Sequence, residues 1–166
     1  MKSKNDIVDQ TVVFVKDQMQ GDSGHDWWHI YRVRNIAGYL SKSEGGDRFI
    51  IDLSALLHDI GDWKFTNDNQ DHSVEIAEKW LSGFDLGQDT LNHILSVIMQ
   101  VSFKGSENRS DIDTIEGKIV QDADRLDAMG AIGIGRAFSY GGYKNRLMHH
   151  PEIQPKKHKT FFEYKN

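Results

Sequence analysis

Apolar residues in this chain recur every three or four positions in one segment after another, and no stretch alternates apolar with polar residues as a half-buried strand does. That pattern disfavours sheet architectures and leaves helices packed on helices. Ile7, Val8, Val12, Val15 and Met19 mark a first helix over about 5–20, closed by Gly21. Val33, Ile36, Ala37 and Leu40 mark a second over about 26–43, which ends at Gly45-Gly46. Further helices are expected over about 48–60, 72–82, 89–101 and 114–129. The glycine-rich segment AIGIGRAFSYGGY reads as a weaker seventh. With 166 residues, two prolines and no repeat or low-complexity stretch, the expectation is one all-α domain.

Composition narrows the chemistry. There is no cysteine, so disulfides, thiolate metal sites and a cysteine nucleophile are excluded, and any metal must be held by His, Asp and Glu. The net charge of −5 weighs against a general nucleic-acid binder, yet a small positive pocket could still take a nucleotide. No apolar run approaches the ~20 residues that cross a bilayer, and MKSKNDIVDQ lacks the apolar core of a signal peptide. A cytoplasmic protein without a membrane or nucleic-acid partner is expected.

Within that frame the stretch LLHDIGDW, 56–63, is costly. It carries an imidazole and a carboxylate, His58 and Asp59, at the end of an apolar run, and their joint desolvation needs compensation. A neutral His–Asp hydrogen bond in a helical core would supply it, and so would a metal ion. His29 lies four residues before Val33 and seven before Ile36, so it projects from the core-facing stripe of its helix, with Arg32 beside it. The segment IVQDADRLDAMG adds Asp122, Asp124 and Asp127 on an apolar helix. Asp122 and Asp124 are about 200° apart around the axis and cannot both face one ion, whereas Asp124 and Asp127 can share a side. Two histidines and two aspartates would suit one divalent ion and leave positions for water and a phosphate oxygen. Such an ion would lower the pKa of its water and polarise phosphorus.

His29, the His58-Asp59 pair and the ADRLDA segment resemble the HD superfamily of metal-dependent phosphohydrolases. GHDWWHIYRV, ALLHDIGDWKF, IVQDADRLDAMGAIGIGRAF and the SYGG that follows are similar to its small bacterial YpgQ/YedJ-type branch. The resemblance runs from about residue 7 to 143. It implies a single HD domain over 1–166, with a metal-site core at about 20–135 and a tail over 144–166 that is irregular or incomplete. It also implies one divalent metal, Mn²⁺ first, with Ni²⁺, Co²⁺, Fe²⁺, Mg²⁺ or Zn²⁺ as alternatives. The implied ligands are His29, His58, Asp59 and Asp124, the last because the family's final ligand is the aspartate of A-D-x-L. The implied activity is hydrolysis of (deoxy)nucleoside triphosphates with loss of pyrophosphate. Other readings are an HD nucleotidase, a (p)ppGpp hydrolase or a non-catalytic metal- or nucleotide-binding module.

Asp62, three residues after Asp59, is the candidate catalytic base, weighed against a solvated helix-end aspartate. Lys64, Arg32, Arg125 and Lys104 are the candidates for phosphate binding, although Arg32 could instead be a structural ion-pair partner. Trp27, Trp28 and Tyr31 are read as core in preference to a platform for a base. Relatives often carry a histidine where MQVSFKG has Val101, which favours a mononuclear site. Relatives usually continue through further helices where this chain ends at TFFEYKN, which leaves the oligomeric state open, a homodimer included.

Overall fold

The computed structural model describes residues 2–19, 26–62, 70–101 and 112–154, and these contain helices and no strand. Helix α1 covers Lys4–Gln18, α2 Trp27–Glu44, α3 Arg48–Leu57, α4 Ser73–Leu81, α5 Gln88–Val101, α6 Ile115–Asp127 and α7 Gly130–Tyr143. The axis is α3. Its run FIIDLSALL is buried at every position from Phe49 to Leu57, as befits a helix enclosed by neighbours on all sides. Helices α1, α2, α5 and α6 pack against it, α4 rests on α5, and α7 rests on α6.

Two cores lie on either side of α3. In one, Phe49, Ile50, Leu53, Leu56 and Leu57 meet Ile7, Val8 and Val15 of α1, Ile30 of α2, Leu81 of α4, and Ile94 and Ile98 of α5. In the other, Ile51 and Ala55 meet Val33 and Ala37 of α2, Val97 and Val101 of α5, and Ile119, Val120 and Ala123 of α6. The fully buried members of this second core are only alanines and β-branched residues, and such short side chains let α2, α3 and α6 approach closely. Polar residues fix where these helices begin. Asp26 caps α2 by accepting from the His29 amide at 3.0 Å. Asp47 caps α3 by accepting from the Phe49 amide at 2.8 Å, and its own N–H donates to Glu116 Oε1 at 2.8 Å, which ties the start of α3 to α6.

Of the helix ends that fall short of the sequence-based expectation, two lie beside the polar cluster of α2, α3 and α6. Helix α3 stops at Leu57 instead of Ile60, and His58–Gly61 form turns in which Ile60 N–H donates to Leu57 O at 3.3 Å and Asp62 N–H to Asp59 O at 3.2 Å. Gly61 then seats on the start of α4: its carbonyl accepts from His72 N–H at 2.9 Å, and its N–H donates to Ser73 Oγ at 3.1 Å. Helix α6 stops at Asp127 instead of Met129, and Gly130, at φ 67°, turns the chain into α7. The glycine-rich seventh segment is a helix, though none of its residues is buried and Ile132, Ile134 and Phe138 remain exposed. No helix among the described residues is long and apolar enough to cross a membrane.

Candidate metal centre

The junction of α2, the end of α3 and α6 gathers four polar side chains around one point. His29 projects from the buried stripe of α2 and is fully buried, and His58, on the turn that closes α3, is almost so. The Asp59 carboxylate is mostly buried, and that of Asp124 on α6 is about a third exposed. Asp59 Oδ2 stands 3.4 Å from His29 Nε2 and 3.6 Å from His58 Nε2, and Asp124 Oδ1 stands 3.4 and 3.8 Å from the same two nitrogens. Among the described residues, His29, His58 and Asp59 offer ligand atoms that all lie within 4.8 Å of one another.

Both imidazoles are held by their other nitrogen. The Nδ1 of His58 lies 2.9 Å from the Ala55 carbonyl, which can only accept, so Nδ1 carries a proton. The Nδ1 of His29 lies 2.8 Å from Asp127 Oδ2. The buried Nε2 of His58 makes no hydrogen bond. Donors bonded to one ion at about 2.0–2.2 Å stand about 3–3.6 Å apart, close to the spacing seen here. Neutral imidazole with carboxylate is also a donor set for Mn²⁺, Fe²⁺, Co²⁺, Ni²⁺ or Zn²⁺. The residues fit a divalent metal.

The protonation pattern points the same way. Burial alone would depress the His58 imidazole, but the Asp59 and Asp124 carboxylates and the Ala55 carbonyl outweigh it and raise the pKa to about 9. Burial likewise raises the Asp124 carboxyl, and the neighbouring His58 overrides that and holds it below its ordinary value. The carboxylates demand a positive charge between them, and a proton on His58 meets that demand when no metal does.

Comparison with known proteins places this geometry in a family. A family model of the HD domain matches residues 27–129, which include all four side chains. The chain belongs to the HD-domain family. Among its relatives is the YpgQ protein of Bacillus subtilis (strain 168), 40% identical over 132 residues that make up 78% of this chain and 63% of that protein. The chain therefore spans under two thirds of that relative's length. A crystal structure of B. subtilis YpgQ in complex with ADP superposes with a TM-score of 0.71 at 37% identity, covering 89% of this chain and 74% of that one. An HD-superfamily hydrolase from Bacillus thuringiensis gives a TM-score of 0.69 at 43% identity, with 92% and 74% covered.

The remaining candidates can be placed around this HD-domain cluster. Asp62 is buried where the turn after His58-Asp59 ends, which overturns its solvated alternative. Arg32 lies alongside Asp127, with Nε donating to Oδ1 at 2.6 Å and Nη2 to Oδ2 at 3.1 Å, the ion-pair arrangement that its position beside His29 allowed. Arg125 is exposed on α6 next to Asp124, and Asp122 is exposed. Lys64 and Lys104 lie outside the described residues. Trp28 and Tyr31 are exposed instead of core, stacked edge-to-face at 5.8 Å on the side of α2 away from His29. Trp27 packs against the first core as expected.

One participant carried no signal in the sequence. Arg136 of α7 donates to Asp127 Oδ2 at 2.8 Å, nine residues beyond it and across a helix break. Half-buried His93 of α5 stands 3.4 Å from Glu116 Oε2 of α6. A cleft of ≈ 270 Å³ lined by Phe138, Gly141, Arg146, Leu147 and Met148, among others, includes none of the four clustered side chains.

Proposed function

We propose that this chain is a divalent-metal-dependent phosphohydrolase acting on nucleotides, with His29, His58, Asp59 and Asp124 as the ligands of one ion and (deoxy)nucleoside triphosphates as substrates that lose pyrophosphate. The observation that carries the proposal is the convergence of two imidazole nitrogens and two carboxylate oxygens at 3.4–3.8 Å in a largely buried junction. The hydrolase among the structural relatives supports the reaction class. The ADP in complex with YpgQ supports a nucleotide.

When bound, the ion would act as a Lewis acid on phosphate oxygen and acidify water at the site. The chain's own contributions are positional and electrostatic. His29 and His58 enter from two helices with their Nδ1 atoms already engaged, so each presents Nε2 without reorganisation. Asp59 and Asp124 supply the negative charge that makes a buried divalent ion tolerable. Asp62, sheltered at the end of the turn, is the residue proposed to take a proton from the attacking water. Arg125, exposed beside Asp124, is proposed to bind phosphate oxygen from the solvent side. Lys64 and Lys104 are further proposed phosphate ligands by the charge they carry.

The experiment is product analysis with Mn²⁺ and a panel of NTPs, dNTPs, NMPs and ppGpp, run against metal-free protein and His58→Ala. Pyrophosphate and a monophosphate, formed only with metal and intact His58, would support the proposal. Phosphate from monophosphates, or pyrophosphate from ppGpp, would replace it with a different HD substrate class. Metal binding without turnover would replace it with a binding module.

A further inference from the structure

Asp127 lies one turn beyond Asp124 on α6, and its side chain is almost fully buried. It faces His29 from the side opposite the clustered oxygens. Its Oδ2 lies 2.8 Å from His29 Nδ1, 3.1 Å from Arg32 Nη2 and 2.8 Å from Arg136 Nη1, and its Oδ1 lies 2.6 Å from Arg32 Nε. An ionised carboxylate only accepts hydrogen bonds, so four N–H groups from α2 and α7 converge on it and one of them must be the imidazole Nδ1–H. The proton on Nδ1 leaves a lone pair on Nε2, which faces the oxygens of Asp59 and Asp124 at 3.4 Å each. A lone pair directed at two carboxylates is unfavourable in water-poor surroundings, and it becomes favourable with a cation between them.

We infer that Asp127 is the positioning residue of the metal centre: it selects the Nδ1–H tautomer of His29 and fixes the ring, while Arg32 and Arg136 hold the carboxylate in place. The inference rests on the proposed role of His29 as a ligand. It gives Arg32 and Arg136 a joint task and ties α7, which buries none of its own residues, to the chemistry of the site. The second ligand histidine needs no such partner, since a backbone carbonyl sets its tautomer.

The discriminating variant is Asp127→Ala. It removes the acceptor of the Nδ1 proton, so the ring proton would move to Nε2, where the Asp59 and Asp124 oxygens lie 3.4 Å away and where the ion requires a lone pair. The expected result is a Kd for Mn²⁺ weakened about 10–100-fold, as for loss of other carboxylates that orient metal-ligating histidines. In metal-free, ¹⁵N-labelled protein, the long-range ¹H–¹⁵N spectrum of neutral His29 should show Nδ1–H in the wild type and Nε2–H in the variant. Arg136→Gln removes a neighbouring donor and leaves His29 its partner, so it should keep both the tautomer and most of the affinity. An unchanged Kd in Asp127→Ala would overturn the inference. So would a wild-type His29 protonated on Nε2, a measurement that does not depend on the variant folding. A wild type that binds no Mn²⁺, Zn²⁺ or Co²⁺ would instead sink the metal reading itself.

Discussion

Gly61→Ala tests whether the turn bearing His58 and Asp59 is positioned by its contact with α4. A methyl group on Gly61 would stand 2.7 Å from the carbonyl carbon of His72, 2.8 Å from the amide nitrogen of Ser73 and 3.0 Å from Ile76 Cδ1. The first two are backbone atoms at the start of a helix, so no side-chain rotation relieves them. Restoring ordinary contact of about 3.5 Å requires the turn and α4 to separate by roughly 0.8 Å. Overpacking of this kind costs about 1–3 kcal/mol, and the stiffer unfolded chain of the alanine variant returns about 0.4–1 kcal/mol of it. The net loss, about 1.3 kcal/mol at mid-range and at most about 2.6 kcal/mol, corresponds to a Tm lower by about 3–5 °C and at most about 10 °C for a chain of this length. The same displacement strains the hydrogen bonds of Gly61 to His72 and Ser73, and it moves two proposed ligands two and three residues away. Thermal unfolding in the presence of chelator measures the first effect, and Mn²⁺ titration by calorimetry measures the second. A variant with wild-type Tm and metal affinity would refute the claim that this glycine sets the geometry of the turn.

The other predictions concern single groups. At Gly135, inside α7, an added methyl meets nothing within 4 Å, so Gly135→Ala should strengthen that helix by about 0.8–1 kcal/mol; faster amide exchange in α7 of the variant would contradict this. In metal-free protein, His58 titrates near 9 against 6.5 for the free side chain, so its stabilising contribution is complete below pH 6.5 and is lost as pH rises through about 9. The loss is on the order of 3 kcal/mol in urea unfolding with chelator present. Equal losses in wild type and His58→Gln would remove His58 as the cause. Asp124→Ala should abolish metal retention and Asp122→Ala should spare it; stoichiometric metal in Asp124→Ala, read by elemental analysis, would end that ligand assignment.

How far the sequence could be read depends on the range of the interactions involved. Helices α1, α2, α4 and α5 were legible because apolar spacing and local caps such as Asp26 act within a few residues. The end of α3 was not, because local periodicity carries the pattern on to Ile60 while the chain turns at His58. What turns it is the seating of Gly61 on His72 and Ser73, a contact 11–12 residues away. The inward placement of His29 followed from its stripe, and His58-Asp59 from its apolar run, so the cluster was readable as a set. The choice of Asp124 over Asp122 was not, since helix geometry says only that the two cannot face one ion together, and the preference for Asp124 came from the resemblance. Trp28 and Tyr31 went astray for a related reason: aromatic character argues for burial, but at about 100° and 160° from His29 around the axis they lie off its buried stripe.

In the proposed metal centre, the two aspartates of α6 would divide the work by their position along the helix. Both reach the ring of His29, Asp124 at Nε2 and Asp127 at Nδ1, from successive turns. Asp124 is about a third exposed and faces the cluster, whereas Asp127 is enclosed with Arg32 and Arg136 around it. A carboxylate beside an ion can afford solvent, because substrate and water must enter there. A carboxylate that orients a ligand is best kept from water, because each competing hydrogen bond would loosen the ring it holds. Burial therefore separates the two roles where spacing could not. It also predicts that Asp127→Glu, which lengthens a side chain in a closed space, will disturb His29 more than Asp124→Glu, whose extra methylene has solvent to move into. Comparison of the His29 ¹⁵N shifts in the two metal-free variants decides the point: a larger change in Asp124→Glu would mean that burial does not distinguish the two residues.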